Sequence, residues 1–102
     1  MADEMTTEQE LQAKGLNAPR VRPEDLDAEM AVAEVSYMQP AGTTVTVCCA
    51  VLSNGYCLVG KSAAVSPENF DEKIGQQVAF RDAREQLWAL LGFRLKDQLA
   101  GA

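Results

Sequence analysis

The longest regular pattern of apolar residues lies in the last third of the chain. Apolar side chains recur there every four or five positions: Phe70, Ile74, Val78, Ala83, Leu87 and Leu91. This spacing is typical of the buried face of an α-helix. Ser66-Pro67-Glu68 is a favourable helix start, and Gly92 is a favourable end. We therefore predict a long helix over about 67–91, in which Gly75 indicates close approach of the helix backbone to the sheet or to a second helix. A short strand or turn at 93–95 and a polar tail are predicted to follow it.

The middle of the chain has the pattern of two β-strands joined by a tight turn. Two runs rich in Thr and Val flank Asn54-Gly55, and this dipeptide is a strong signal for a two-residue hairpin loop. The sequence therefore predicts an antiparallel β-hairpin over about 43–65. A two-residue loop sets the register so that Val51 faces Leu58, with Val45 and Val47 on the same face.

Weaker helical patterns precede the hairpin. Thr7 and Glu10 resemble a capping box, so we expect a flexible N-terminal segment over 1–16 that contains a weak helix. Pro23 suits the first turn of a second helix. Behind it, apolar residues recur at helical spacing: Leu26, Met30, Ala33 and Tyr37. This stripe predicts an amphipathic helix over about 23–37.

These patterns together predict an α+β fold. N-terminal helices and the hairpin form a single domain over 17–99 with the long C-terminal helix packed on the hairpin, and residues 100–102 form a tail. The predicted core consists of Leu26, Met30, Val45, Val47, Val51, Leu58, Phe70, Ile74, Val78, Leu87 and Trp88. Such a core is small for a chain of 102 residues. We therefore predict a homodimer or a larger homo-oligomer.

The charge is concentrated at the N-terminal end. Residues 1–34 hold nine acidic and three basic side chains, which accounts for the whole net charge of −6. Direct binding to nucleic acid needs a basic surface, so we do not expect it. The acidic third is interpreted as a solvated helix face, with contact to a basic protein surface or mimicry of nucleic acid as the alternative. No apolar run is long enough for a membrane helix, so no membrane partner is expected.

The chemistry-bearing residues are few. Histidine is absent, and the three cysteines, Cys48, Cys49 and Cys57, lack the paired spacing of a metal site. Adjacent strand residues point to opposite faces, so Cys48 and Cys49 are not expected to converge on one ion. We interpret the cysteines as structural and expect no metal and no cofactor. Without a phosphate-binding loop or a nucleophile motif, we expect no catalytic residues and no enzymatic activity.

Several short motifs resemble a known family. Their order along the chain is Ala18-Pro19-Arg20-Val21, Asn54-Gly55-Tyr56, Ser66-Pro67-Glu68-Asn69-Phe70-Asp71 and Leu87-Trp88. This order is similar to that in a family of small tailed-phage proteins known from phages N4 and Sf6. The resemblance covers about 17–99 and implies a phage or prophage origin, and therefore the host bacterial cytoplasm as the expected location.

In that context, the sequence favours a small accessory protein that binds and inactivates a host protein or defence complex. The alternative is an oligomeric sponge that sequesters a nucleotide immune signal such as a cyclic nucleotide, and a role in virion assembly is a second alternative. The residues predicted to bind the ligand or partner are cationic or can donate hydrogen bonds: Arg20, Arg22, Lys61, Ser62, Asn69, Arg81 and Arg84. The simpler interpretation of Arg81 is an ordinary surface pair with Glu85, four residues further on.

Overall fold

The computed structural model describes residues 4–16 and 18–101, which form four helices, one short 3₁₀ turn and a three-stranded sheet. In chain order the elements are α1 (Glu4–Ala13), α2 (Pro23–Ala31), β1 (Glu34–Met38), β2 (Val45–Val51), β3 (Cys57–Ala63), the 3₁₀ turn (Pro67–Asn69), α3 (Glu72–Glu85) and α4 (Leu87–Gly101). The predicted α+β fold is confirmed. The first three residues of the predicted N-terminal segment, Asn17 and the last residue of the predicted tail lie outside the described residues.

The sheet is an antiparallel meander in the order β1-β2-β3. Its two faces differ sharply in burial, because residues alternate between them along each strand. The covered face carries Val35 and Tyr37 from β1, Thr46, Cys48 and Ala50 from β2, and Leu58, Gly60 and Ser62 from β3. The open face carries Glu34, Ser36 and Met38 from β1, Val45, Val47, Cys49 and Val51 from β2, and Cys57, Val59, Lys61 and Ala63 from β3.

Helix α3 packs directly on the covered face, and two glycines allow its backbone to come close. A Cβ atom at Gly60 would collide with the carbonyl oxygen of Ala79 and lie 2.5 Å from the backbone nitrogen of Ala83. A Cβ atom at Gly75 would lie 2.6 Å from the Oγ1 atom of Thr46. The predicted close approach at Gly75 is therefore confirmed, and the neighbour is the sheet.

Side chains of the helical segment also bind the outer edge of β3. The backbone N–H of Lys61 donates to the Oδ2 atom of Asp82 at 2.9 Å. The side-chain amide of Gln86 donates to the carbonyl oxygen of Val59 at 2.7 Å. Gln86 is also the residue at which α3 ends and α4 begins, so the break between the helices coincides with this edge contact.

The hairpin register differs by one residue from the predicted register. The loop contains three residues, Ser53-Asn54-Gly55, because Gly55 at φ +89° closes a turn by donating to the carbonyl oxygen of Leu52. Val51 therefore faces Cys57 instead of Leu58. A one-residue slip moves a strand's whole apolar set to the other face. The slip puts Leu58 on the opposite face from Val45, Val47 and Val51. Because α3 covers the face that carries Leu58, these three predicted core residues lie half-buried on the open face.

The second helix is shorter than predicted and is followed by a strand. Helix α2 ends at Ala31, and β1 forms from Glu34 to Met38. Ala33 and Tyr37 therefore do not continue the helical stripe of Leu26 and Met30. A strand forms in place of a longer helix because β1 pairs along its whole length with β2. This pairing gives its backbone N–H and C=O groups hydrogen-bond partners that the end of an isolated helix lacks.

The C-terminal helical segment is longer than predicted and is divided in two. Residues 93–95 are not a strand or turn, since α4 runs from Leu87 to Gly101 through Gly92. The helix also begins later, at Glu72, with the side chain of Asp71 accepting from the N–H of Ile74 at 2.9 Å. The predicted start at Ser66-Pro67-Glu68 forms the separate 3₁₀ turn.

The core lies between α3, the covered face and the α2–α4 layer. Its buried residues are Leu26, Met30, Cys48, Ala50, Leu52, Leu58, Ala79, Ala83, Leu87 and Leu91. Leu26, Met30, Leu58 and Leu87 were predicted, and Trp88 packs against the core as a partly buried residue. Ile74 and Val78 are exposed and Phe70 is only half-buried, because α3 turns its small residues, Gly75, Ala79 and Ala83, towards the sheet.

The molecule is elongated. Its radius of gyration is 16.3 Å and its longest dimension is 50 Å, whereas a compact chain of this length has a radius of gyration of about 13 Å. The last turns of α4 contribute to this shape, and Phe93 and Leu99 are exposed on that helix.

Candidate functional site

An open groove of about 1470 Å³ runs between α3 and the N-terminal part of the chain. One wall is a single face of α3, from Lys73 to Arg84. The opposite wall comes from α1 and the segment 20–23, and Tyr37 of β1 contributes where the groove meets the sheet. The groove therefore lies on the side of the sheet that α3 covers.

Arg20 joins the two parts of the N-terminal wall. Its Nη2 atom lies 2.5 Å from the Oε1 atom of Glu8, its Nε atom lies 3.3 Å from the Oε2 atom, and its Nη1 atom donates to the carbonyl oxygen of Leu16 at 2.9 Å. Glu8 is only 7% exposed. The hydrogen bond from Arg20, reinforced by the charges of Arg20 and Arg22, holds the pKa of Glu8 below its usual value.

Arg84 joins α3 to α2 at the other end of the groove. Its Nε atom donates to the Oδ1 atom of Asp27 at 2.8 Å, and its Nη2 atom donates to the carbonyl oxygen of Pro23 at 3.2 Å. Its Nη1 atom lies 3.5 Å from the Oε1 atom of Glu85. The Arg84 side chain therefore links α3 to α2 through bonds within the chain.

Arg81 lines the same groove as these two arginines and is exposed. The surface pair with Glu85 is not formed, because Glu85 contacts Arg84 instead. Among the side chains that the structure describes, those of residues 7–16 and 18–101, no carboxylate forms an ion pair with the Arg81 guanidinium. Arg81 is therefore the groove arginine that is placed to take an anionic group from a ligand or partner.

Aromatic side chains line the groove beside these cations. Phe80 and Trp88 are partly buried, with their inner surfaces packed against the core. Tyr37 is more exposed, and burial raises the pKa of its hydroxyl above the ordinary value. Rings and guanidinium groups in one groove can hold apolar or planar groups and anionic groups together.

The structure places the other predicted site residues outside the groove lining. Arg22 precedes α2, where its N–H donates to the Oδ2 atom of Asp25 at 2.8 Å and its Nε atom lies 3.8 Å from Glu8. Ser62 is partly buried, and its hydroxyl donates to the carbonyl oxygen of Gly75 at 2.8 Å. Lys61 lies on the open face, and Asn69 is exposed in the 3₁₀ turn.

Sequence reasoning missed several groove residues on α3. Lys73, Gln76 and Gln77 line it, and they belong to one helix face with the residues already described. The face has the helical spacing of Lys73, Gln76, Gln77, Phe80, Arg81, Arg84 and Trp88. This polar stripe with aromatic residues is the available signal, but the apolar stripe through Ile74 and Val78 predicts a buried face on the other side of the helix, and both residues are exposed.

The three cysteines lie in three different environments. Cys48 is buried on the covered face, Cys49 is half-buried on the open face, and Cys57 is exposed. Burial raises the pKa of the Cys48 thiol. Within the described ranges, no group of three Cys, Asp or Glu side chains could hold a metal ion. None of the described helices is long and apolar enough to cross a membrane.

The family model of the phage protein (N4 Gp49/phage Sf6 gene 66) family matches residues 21–99. The chain belongs to this family. The match includes the α3 wall, with Arg81 and Trp88, whereas Glu8 and Arg20 precede the matched region of this phage protein. The chain matches no curated protein and no solved structure.

Proposed function

We propose that this phage protein is a non-enzymatic accessory protein that binds a host factor through the groove and inactivates it. The host factor is a protein or defence complex of the host bacterial cytoplasm. The observation that carries the proposal is the exposed Arg81 in a groove whose lining also includes aromatic side chains and two arginines that are already engaged in ion pairs.

The charge of the groove supports a partner segment with acidic residues. Four basic and two acidic side chains line it, although the whole chain has a net charge of −6. At long range, the net negative charge of the whole chain repels most anions in the cell. At close range, the positive charge of the groove attracts an acidic group that fits it. The aromatic surfaces of Phe80 and Trp88 add apolar contact area, as binding grooves for amphipathic segments do.

The size of the groove supports a protein segment over a small molecule. Its volume of about 1470 Å³ exceeds the roughly 300–1,000 Å³ that is usual for small-ligand pockets. An open groove of this size suits an extended or helical segment that lies along α3.

The test is affinity capture from a host lysate with the wild-type protein, Arg81→Glu and the matched control Lys96→Glu. Both substitutions reverse one charge, but Lys96 is an exposed residue of α4 outside the groove. We expect one host complex to be captured by the wild type and the control, and to be reduced at least about tenfold with Arg81→Glu. Equal capture by Arg81→Glu would exclude the groove as the binding site.

Sequestration of a nucleotide signal is the second candidate, and the same groove favours it in one respect. A guanidinium group beside aromatic rings can bind a phosphate and stack on a base. A ligand at about 100 times its dissociation constant stabilises the folded state by about 2.7 kcal/mol, which corresponds to an increase of several degrees in the melting temperature. Thermal unfolding with a cyclic-nucleotide panel measures this, and Arg81→Ala should abolish the shift. No shift with any nucleotide would eliminate this candidate.

A further inference from the structure

The open face of the sheet is an apolar surface that the chain leaves uncovered. Helix α3 lies against the opposite face. On the open face, Met38 is 61% exposed and Val59 is 57% exposed, and the β2 residues between them are half-buried valines and Cys49. Contiguous apolar surfaces of this kind on soluble proteins usually mark contact sites.

Two charged side chains stand at opposite corners of this face. Glu34 lies on β1 level with Val51, and Lys61 lies on β3 level with Val47. Each is therefore one strand and two residues away from Cys49, in opposite directions. Among the described residues, neither side chain forms an ion pair within the chain.

We propose that the occupant of the open face is a second copy of this chain. A two-fold axis that passes through the position of Cys49 and runs diagonally across the strands places Lys61 of each copy opposite Glu34 of the other. Sheets packed face to face lie about 10 Å apart, a gap that the two long side chains span together. The strands of the two copies then cross at a steep angle, as in the orthogonal class of sheet packing.

The rest of the molecule is compatible with this arrangement. The groove lies on the covered side of the sheet, so both grooves of the dimer stay accessible. The outer edge of β3 is occupied by Asp82 and Gln86, which leaves the open face as the larger available surface on that side. The elongated shape of one copy also indicates that folding alone leaves much apolar area unburied.

Reversing each of the two charges singly, and then both together, tests the proposed dimer contact. Sedimentation equilibrium of the wild type, from about 5 to about 200 μM, should show the average mass rising towards twice the 11.0 kDa of the chain. Lys61→Glu and Glu34→Lys each create like-charge contacts and should weaken dimerisation about tenfold or more. The double variant Lys61→Glu/Glu34→Lys restores both pairs and the native net charge, and should restore the dimer. Lys96→Glu carries the same net charge as Lys61→Glu and should dimerise like the wild type.

Thiol protection reports on the same surface independently. In a Cys57→Ser background, Cys49 is the accessible thiol because Cys48 is buried. The rate of its reaction with an aromatic disulfide reagent should fall as protein concentration rises, and Lys61→Glu should remove this dependence. A wild type that is monomeric at about 200 μM would overturn the proposal. So would a dimer that ignores both charge reversals and leaves Cys49 unprotected, since it would form through another surface such as the edge of β1.

Discussion

The two faces of the sheet differ in the size of the residues that β2 contributes to them. The covered face packs against α3 through the small residues Cys48, Ala50 and Gly60. The residues of α3 at this contact, Ala79 and Ala83, are also small. The open face instead carries valines and Met38. Residue size, more than hydrophobicity, therefore decides which of the two faces of β2 a helix can approach closely.

The largest expected effect comes from adding one methyl group on the covered face. Gly60→Ala places a Cβ atom against the backbone of Ala79 and Ala83, which cannot move without shifting α3. We expect the free energy of unfolding to fall by about 3 kcal/mol or more, measured by urea denaturation.

Gly92→Ala is the matched control for this substitution. Nothing lies within 4 Å of a Cβ atom at Gly92 in α4, so the variant should gain about 0.5–1 kcal/mol from helix propensity alone. A stable Gly60→Ala protein would mean that α3 does not rest on the sheet as described.

The same substitution at the two adjacent cysteines of β2 compares the stability contributions of the two faces of the sheet. Cys48→Ser places a hydroxyl in the core and should lower the free energy of unfolding by about 1–3 kcal/mol. Cys49→Ser, on the open face, should change it by less than about 0.5 kcal/mol at concentrations where the chain is monomeric. Chemical denaturation of both variants measures the difference, and equal effects would contradict the assigned register.

The second glycine contact should produce a smaller effect that depends on its neighbour. Gly75→Ala brings a Cβ atom 2.6 Å from Thr46 Oγ1, a hydroxyl for which the described residues supply no hydrogen-bond partner. The gain in helix propensity offsets part of the clash, so we expect a loss of about 1 kcal/mol. The double variant with Thr46→Ala should be more stable than additivity predicts. Simple additivity would show that the two residues do not touch.

The smallest effect concerns the outer layer of the covered side, where Glu8 binds Arg20. The pKa of Glu8 is lowered in the folded state from 4.5, so its stabilising contribution is complete above that value and is lost as the pH falls through the folded-state pKa. Glu8→Gln should therefore flatten the acid limb of stability against pH. The measurement is thermal unfolding from pH 7 to about pH 3, and an unchanged acid limb would exclude this ion pair as its source.

The elements that depend on local signals could be predicted from the sequence, and those that depend on partners could not. Asn54-Gly55 correctly locates the hairpin, but glycine with positive φ suits both two-residue and three-residue loops. The observed register instead pairs Cys48 with Gly60 and Ala50 with Leu58. These four residues then lie together on the face that α3 covers.

Strand β1 and the groove were missed for a related reason. Val35 and Tyr37 alternate with polar residues, but the strand is only five residues long. Tyr37 also lies at helical spacing from Met30 and Ala33, so the sequence pattern favours a helix there. For the groove, Arg20, Arg81 and Arg84 were identified as candidates. Their convergence depends on α1 folding back through Glu8, which no local pattern in the sequence indicates.

The hydrogen bonds along the outer edge of β3 bear on how the chain resists aggregation. An unprotected edge strand is a template for open-ended strand addition and fibrous aggregation. Asp82 and Gln86 occupy a donor and an acceptor of that edge with groups from the same chain. A strand from another copy therefore finds that donor and that acceptor already taken, which opposes sheet extension on that side.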